Sequence, residues 1–336
     1  MFKVDLIEAI EKVKIAMISG STFLQDSNNL IFKNDRIAAF GLDSAISIPF
    51  QFPFEASVPA DEFLKYLKKV KGDEIDIEYK DGELTIVSGN GKSSAAFMTN
   101  DSVRNLPDLG IKDVQDWVPL PNNFCDALKL VHFSVSNDTS KGIYNCAFVD
   151  KTGIAGTDEF RLTHIAFNET YNGPTFFIPK KIAKHVSAME WVKVGKAGGW
   201  VHLMTEEGVV ASIRGLEGAF RQYEDKFKLT GTSVYLPTEL QDALNRISEL
   251  CEKDSFGFRK VFVTLFDGEV SCKVDGQRKR GEEKVFLEYT GERVSFSANV
   301  DFLIDALKEG KDCIVGEKMI MISGDGFRHI VVLMKN

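Results

Sequence analysis

The chain has no HExxH, no GxSxG and no CxxC, and its histidines, at 132, 164, 185, 202 and 329, stand singly. Those gaps remove zinc-protease, nucleophile-elbow and dithiol chemistry from the candidate activities. Cysteine is sparse: residues 125, 146, 251, 272 and 313 are widely spaced and odd in number. That pattern predicts reduced, mostly buried thiols in a reducing compartment, with no metal centre and no disulfide framework. Apolar runs approaching about 18 residues are missing, as is a signal-peptide pattern, so no membrane association is expected and the expected location is the cytoplasm. Positive charge is in deficit, with 41 Lys and Arg against 49 Asp and Glu and a net charge of −8. A surface coated all over by nucleic acid is excluded, whereas a local basic surface is not.

Two fragments imitate catalytic motifs. Ser88-Gly89-Asn90-Gly91-Lys92-Ser93 ends like a phosphate-binding loop, but Ile86 stands where that loop needs its first glycine, and a hairpin turn is the better reading. Thr157-Asp158-Glu159 offers adjacent carboxylates without a neighbouring base or metal ligand, which reads as a surface turn. No catalytic residues and no cofactor are therefore assigned, and an enzyme is the least favoured class.

What the chain does have is a repeat. In IPKKIAKHVSAM an apolar residue and a proline precede Ile182 and Val186, with Met189 three further on. The spacing predicts an amphipathic helix with proline at its first position. The same arrangement returns at Val58-Pro59 (Phe63, Leu67), Leu120-Pro121 (Phe124, Leu128) and Leu236-Pro237 (Leu240, Leu244). The prolines at 59, 121, 179 and 237 are 62, 58 and 58 residues apart. Proline-free helical patterns at Leu6, Ile10, Val13 and at Phe302, Ala306, Leu307 extend the series at both ends, giving six units.

Six units of about 56 residues in a 336-residue chain are each too small to bury a core alone. Pairing them predicts three tandem domains, 1–113, 114–227 and 228–336. Between the helices lie alternating stretches with turn signals: a turn at Asn34-Asp35, EIDIEY and ELTIVSG about Lys80-Asp81-Gly82, strands at 143–150 and 153–167, the hairpin HLMTEEGVVASIRG, and VFVTLFDGEVSCKV about Asp267-Gly268. The expected class is α+β, each domain laying two helices on one face of antiparallel sheets.

Charge is unevenly placed on these helices. Residues 60–72 and 180–190 each sum to +2, while the other four helices balance or go negative. By themselves such faces read as solvated surface.

The order of features resembles the bacterial DNA polymerase III beta subunit, the sliding clamp, across nearly the whole chain. VPADEFLKYLKKV with EIDIEYKDGELTIVSG is similar to the second half of the clamp's first domain; FSVSNDTSKGIYNCAFVD with AGTDEFRLTHIAF resembles its middle-domain strand pair, typically ATDGHRLA; RGLEGAFRQY looks like DGRFPDY, SFSANVDFLIDAL like GFNVxYLLDAL, and VVLMKN stands where clamps end in a run such as MPMRL. The resemblance implies a clamp fold: a ring-forming, three-domain chain whose two copies, head to tail, encircle duplex DNA without reading its sequence. It also implies a non-catalytic processivity factor that tethers DNA polymerase and clamp loader through short hydrophobic peptides. The alternative is a clamp-fold scaffold binding proteins only.

Carried onto matching positions, the resemblance implies DNA-facing cations at Lys12, Lys14, Lys65, Lys68, Lys129, Lys141, Lys181, Lys184, Arg246 and Lys308. It implies a partner-peptide pocket at Tyr144, Thr157, Phe160, Arg161, Leu162, Phe256, Asn299, Phe302, Ile330, Val332, Leu333 and Met334, and a dimer interface using Leu106, Leu109 and Leu250. The chain departs from the pattern at Glu159-Phe160 in place of Gly-His, at Arg221 and Leu333 in place of prolines, and in ISGSTFLQDSNN, which lacks the family's DNA-touching arginine. These departures fit a divergent or phage-encoded member.

Overall fold

The computed structural model describes residues 2–19, 28–41, 43–88, 93–99, 109–255, 257–276 and 278–335. Six α-helices occur among them: α1 (Lys3–Lys14), α2 (Ala60–Lys69), α3 (Phe124–Val131), α4 (Lys180–Val186), α5 (Glu239–Ser248) and α6 (Val300–Leu307). Each falls on one of the six repeats, with shorter ends than the periodicity suggests. The apolar pairs that set the period are all buried: Phe63 and Leu67, Phe124 and Leu128, Ile182 and Val186, Leu240 and Leu244.

The prolines do not occupy the first helical turn as expected. Pro59 and Pro179 stand at the N-cap, closing the strands Ala56–Pro59 and Phe176–Pro179 with φ of −59° and −56°. Pro121 and Pro237 lie slightly further upstream, their carbonyls accepting from the backbone N–H of Phe124 and Leu240. Proline's fixed φ suits a strand end as well as a helix entry, and a ring nitrogen that cannot donate sits most cheaply at such a junction.

The chain packs as two compact units. The first comprises Met1–Cys125 and Glu169–Glu217. Its main sheet is antiparallel and eight-stranded, in the order Ala56–Pro59, Asn29–Lys33, Arg36–Phe40, Ser44–Pro49, Val210–Arg214, Trp200–Met204, Lys193–Ala197, Val118–Pro119. Val210 pairs with Ser47 and Ile213 with Ser44, so two distant segments share one ladder. A second sheet orders Ile75–Lys80, Glu83–Ser88 and Ser93–Met98. Helix α2 covers it through Phe63, whose ring lies 5.1 Å from Phe97 and 5.8 Å from Phe32, edge-on to both.

The second unit comprises Asp126–Asn168 and Gly218–Asn336. One sheet runs Cys146–Val149, Gly153–Thr157, Arg161–Ala166, Phe327–Val332, Met319–Ser323, Asp312–Val315, Thr232–Tyr235. The other runs Arg280–Phe286, Glu269–Asp275, Lys260–Phe266, Val294–Asn299. The main core of this unit joins α5 (Leu240, Leu244, Ile247) and α6 (Leu303, Leu307) to inward residues of both sheets, among them Val263, Phe296 and Ile322.

The tight turns follow the sequence signals. Asn34-Asp35, Asp81-Gly82 and Asp267-Gly268 each hold two successive positive φ values, the geometry of a two-residue hairpin. The strand expected over 153–167 is instead a hairpin, Thr157 opposite Leu162, because Glu159 turns left-handed at φ 78°. Gly89–Lys92, in the phosphate-loop imitation, lie outside the described residues.

Candidate partner-binding cleft

In the second unit, strands Gly153–Thr157, Arg161–Ala166 and Phe327–Val332 lie side by side, and their registers bring Leu162 opposite Ile330 and Arg161 opposite Val331. Over this sheet lies the segment at 218–227, anchored by its aromatic side chains. Phe220 stacks on Phe148 with centroids 4.6 Å apart and planes 7° from parallel; Tyr223 meets Phe220 edge-on at 5.8 Å. Tyr223 and Phe227 are buried in a small cluster with Ala155, Met321 and Ile330.

Tyr223 is held from behind by polar contacts. Its hydroxyl donates to Asp150 Oδ2 at 2.7 Å, and Asp150 Oδ1 accepts from the Thr152 hydroxyl at 2.7 Å and from the backbone N–H groups of Thr152 and Gly153. The network continues from Thr152 Oγ1 to His164 Nε2 at 3.1 Å and from His164 Nδ1 to Arg328 at 3.0 Å. Burial, reinforced by the Arg328 charge, drives the His164 pKa down to about 4, so its ring is neutral and accepts from the guanidinium.

Between sheet and segment opens a cleft of about 190 Å³, lined by Tyr144, Thr157, Glu159, Arg161, Leu162, Phe220, Arg221, Gln222, Tyr223, Lys226, Met319, Ile330 and Val332. Its floor is apolar and aromatic, and its charges stand around it. Of the side chains assigned to a pocket from sequence, Tyr144, Thr157, Arg161, Leu162, Ile330 and Val332 come together here.

The others are placed differently. Phe160 is exposed, with its ring edge-on to Phe258 at 4.6 Å. Asn299 caps α6, its side-chain oxygen accepting from the Asp301 N–H at 3.2 Å. Phe302 is buried beneath the guanidinium of Arg161, Leu333 packs against the core, and Met334 donates its backbone N–H to Ser297. Phe256 lies outside the described residues. Lys226 and Met319 carry no signal in the sequence reading; Phe220, Gln222 and Tyr223 enter it only as part of RGLEGAFRQY. Two aromatic residues in an otherwise polar stretch are the signal that could have marked the segment.

Arg161 is mostly committed to holding the fold. Its Nε donates to Asp158 at 2.9 Å, Nη1 to Asp305 at 3.0 Å and Nη2 to the Phe133 carbonyl at 2.6 Å. Beside it, the turn at Glu159 is built by Thr157 Oγ1 accepting from the Glu159 N–H and Asp158 Oδ1 accepting from those of Phe160 and Arg161. The carboxylate of Glu159 pairs with Lys141 at the rim, so Lys141 belongs to the surroundings of the cleft.

The remaining basic candidates lie on helices or, for Lys308, at the C-cap of α6, and are largely paired within the chain. Lys12 meets Glu8, Lys14 meets Asp61, Lys68 meets Glu11, Lys129 meets Asp126, Lys181 meets Asp43, Arg246 meets Glu283 and Lys308 meets Asp305. Lys65 and Lys184 have no ion-pair partner among the described residues. Leu109 is buried within the first unit and Leu250 is partly buried against the core of the second, so neither offers a fully exposed side chain for a partner; Leu106 lies outside the described residues.

The architecture has close counterparts. A DNA polymerase III beta sliding clamp from Pseudomonas aeruginosa superposes with a TM-score of 0.86 over 100% of this chain and 98% of its own, at 16% identity. A DNA polymerase III beta subunit from Eubacterium rectale gives 0.87 over 100% and 99%, at 14% identity. The chain has the fold of the bacterial sliding clamp. The resemblance read from the sequence and the α+β clamp architecture are therefore upheld. Among curated proteins, beta sliding clamps from Chlamydia muridarum and Chlamydia trachomatis are each 21% identical over 281 residues, 77% of this chain and 73% and 64% of theirs. The match thus spans slightly under two thirds of the second relative. No model of a protein family matches the chain. No helix among the described residues is long and apolar enough to cross a membrane.

Proposed function

We propose that this protein is a DNA sliding clamp, a non-catalytic processivity factor in DNA replication. Two copies associate head to tail into a ring around duplex DNA, and the cleft beside Tyr223 takes short hydrophobic peptides from a DNA polymerase and a clamp loader. The stretches 1–113, 114–227 and 228–336, each pairing two of the six repeats, are the domains of that ring, which works in the cytoplasm. The carrying observation is the superposition on solved clamps along 100% of the chain.

Two further features support the reading. The cleft joins an apolar floor to a polar rim, the form in which an extended peptide anchors one or two apolar side chains. The helix cations are mostly neutralised by carboxylates of the same chain. Such faces grip phosphates weakly, which suits a topologically held ring that has to slide.

That neutralisation also favours a second reading, a clamp-fold scaffold that binds proteins without DNA. One experiment separates the two. The protein is incubated with a clamp loader and ATP on nicked circular duplex, which is then cut once. A dimer that stays on the circle and runs off the linear product supports the clamp. A monomer at micromolar concentration, or equal retention on both forms, would sink it, and peptide binding without DNA retention would favour the scaffold.

A further inference from the structure

The four-stranded sheet of the second unit turns one face away from the core, and its aromatic rings are covered unequally there. Its registers set Phe266 opposite Glu269 and Glu269 opposite Phe286. Directly opposite side chains share a face, so these three form one outward row, while the alternating Val263, Leu265, Val270 and Cys272 turn into the core. Two outward rings carry a cation of the chain itself: Lys260 Nζ lies 4.6 Å from the centroid of Phe262, and Arg293 Cζ 5.5 Å from that of Phe266. Phe286 carries none among the described residues. It is 73% exposed, more than any other large apolar side chain among them.

The surroundings of Phe286 are ordered by hydrogen bonds. Beyond it the chain folds back over the turn at Asp267-Gly268: the Leu287 N–H donates to the Gly268 carbonyl at 2.8 Å, the Gly268 N–H to the Tyr289 carbonyl at 3.1 Å, and the Tyr289 hydroxyl to the Glu292 carbonyl at 2.6 Å. These contacts leave an open cavity of about 390 Å³ walled by Gly268, Phe286, Leu287, Glu288, Tyr289 and Thr290. Its charge is negative. Asp267, Glu288 and Glu292 are exposed and enter no ion pair among the described residues, whereas Glu269 is already met by Lys284 at 2.8 Å. An uncovered ring beside an unpaired carboxylate is complementary to a cation that presents a flat face as well as a charge.

We infer that this cavity is a docking site for a basic partner segment, occupied by an arginine side chain whose guanidinium lies over Phe286 and donates to Glu288. The chain's own Arg293 over Phe266 shows the same arrangement one row-mate away. No lining residue is shared with the cleft beside Tyr223, so the two sites can be filled at once by different segments. A lysine would supply the charge without the planar contact, which makes arginine the preferred occupant.

The test uses the full-length protein and fluorescein-labelled, C-terminally amidated peptides of sequence Gly-Arg-Gly-Arg-Gly-Ser, with both Arg replaced by Lys or by Gln for comparison. Anisotropy titration at low salt should show the Arg peptide binding about fivefold tighter than the Gln peptide and about twofold tighter than the Lys peptide. Phe286→Ala removes the ring and no charge, and should abolish the advantage of Arg over Lys. Glu288→Gln should bring the ratio of Arg to Gln down to about two. In proton spectra the arginine methylene resonances of the peptide should move upfield on binding the wild type and stay in place with Phe286→Ala, since only a ring beneath them shifts them that way. Both side chains are exposed, so the urea midpoints of the two variants should match the wild type. Equal affinity of the Arg and Lys peptides for the wild type, or an Arg advantage that survives Phe286→Ala, would reduce the effect to diffuse attraction by an acidic surface and overturn the inference; so would a failure of the Arg peptide to bind. A wild-type dimer that falls to a monomer in Phe286→Ala would place a second copy of the chain over the ring and overturn it as well.

Discussion

The guanidinium of Arg161 lies 4.1 Å from the centroid of the Phe302 ring, stacking a residue of the cleft onto helix α6. With Asp158 and Asp305 it forms a mostly enclosed three-member ion cluster, Arg161 being 13% exposed. Arg161→Ala would leave two carboxylates and the Phe133 carbonyl without their donor. The expected loss is about 3 kcal/mol in urea unfolding, the scale for removing one partner of a buried pair. A loss below about 1 kcal/mol would show that the cluster is effectively solvated.

His329 and His164 should make stability fall as the solution is acidified. Burial, aided by the Arg161 charge, lowers the His329 pKa from 6.5 to about 3, and that of His164 is lowered to about 4. Below pH 6.5 the unfolded chain takes up protons on these rings while the folded chain does not, so protonation favours unfolding. At pH 5 each ring should reduce stability by about 2 kcal/mol relative to neutral pH. Urea midpoints measured from pH 7.5 to 5 should show this decline, and His329→Gln should remove roughly half of the share owed to the two rings. A midpoint independent of pH over that window would contradict the buried neutral state of both.

Glu159 holds a left-handed backbone at φ 78°, where a side chain is strained and glycine is not. That geometry gives a physical reason for the glycine in the related motif noted from the sequence. Glu159→Gly is expected to raise the unfolding free energy by about 1 kcal/mol despite breaking the exposed pair with Lys141, because such pairs contribute little. Destabilisation in thermal or urea melts would mean that the ion pair outweighs the strain.

Lys65 and Lys184 are two helix cations with no ion-pair partner among the described residues. If the ring encloses DNA, Lys65→Ala and Lys184→Ala should each flatten the slope of log affinity against log salt by about 1 for directly bound duplex. Lys12→Ala, which frees Glu8 from its 2.6 Å pair, should increase repulsion from DNA more than it changes that slope. Equal slopes in all variants would place the two lysines away from DNA.

The sequence alone determined the six helices, since an apolar pair four residues apart must be turned inward on any helix, and Phe63 with Leu67 or Leu240 with Leu244 are buried accordingly. It also determined the two-residue turns, where Asn-Asp and Asp-Gly tolerate positive φ. Only the tertiary structure decided that Ser44–Pro49 and Val210–Arg214 share one ladder, because strand pairing is set by which edges meet in space and leaves no local trace in either segment. Likewise only folding decided that Arg161 is spent on Asp305, 144 residues away in the chain, because packing settles which carboxylates come within reach of a guanidinium.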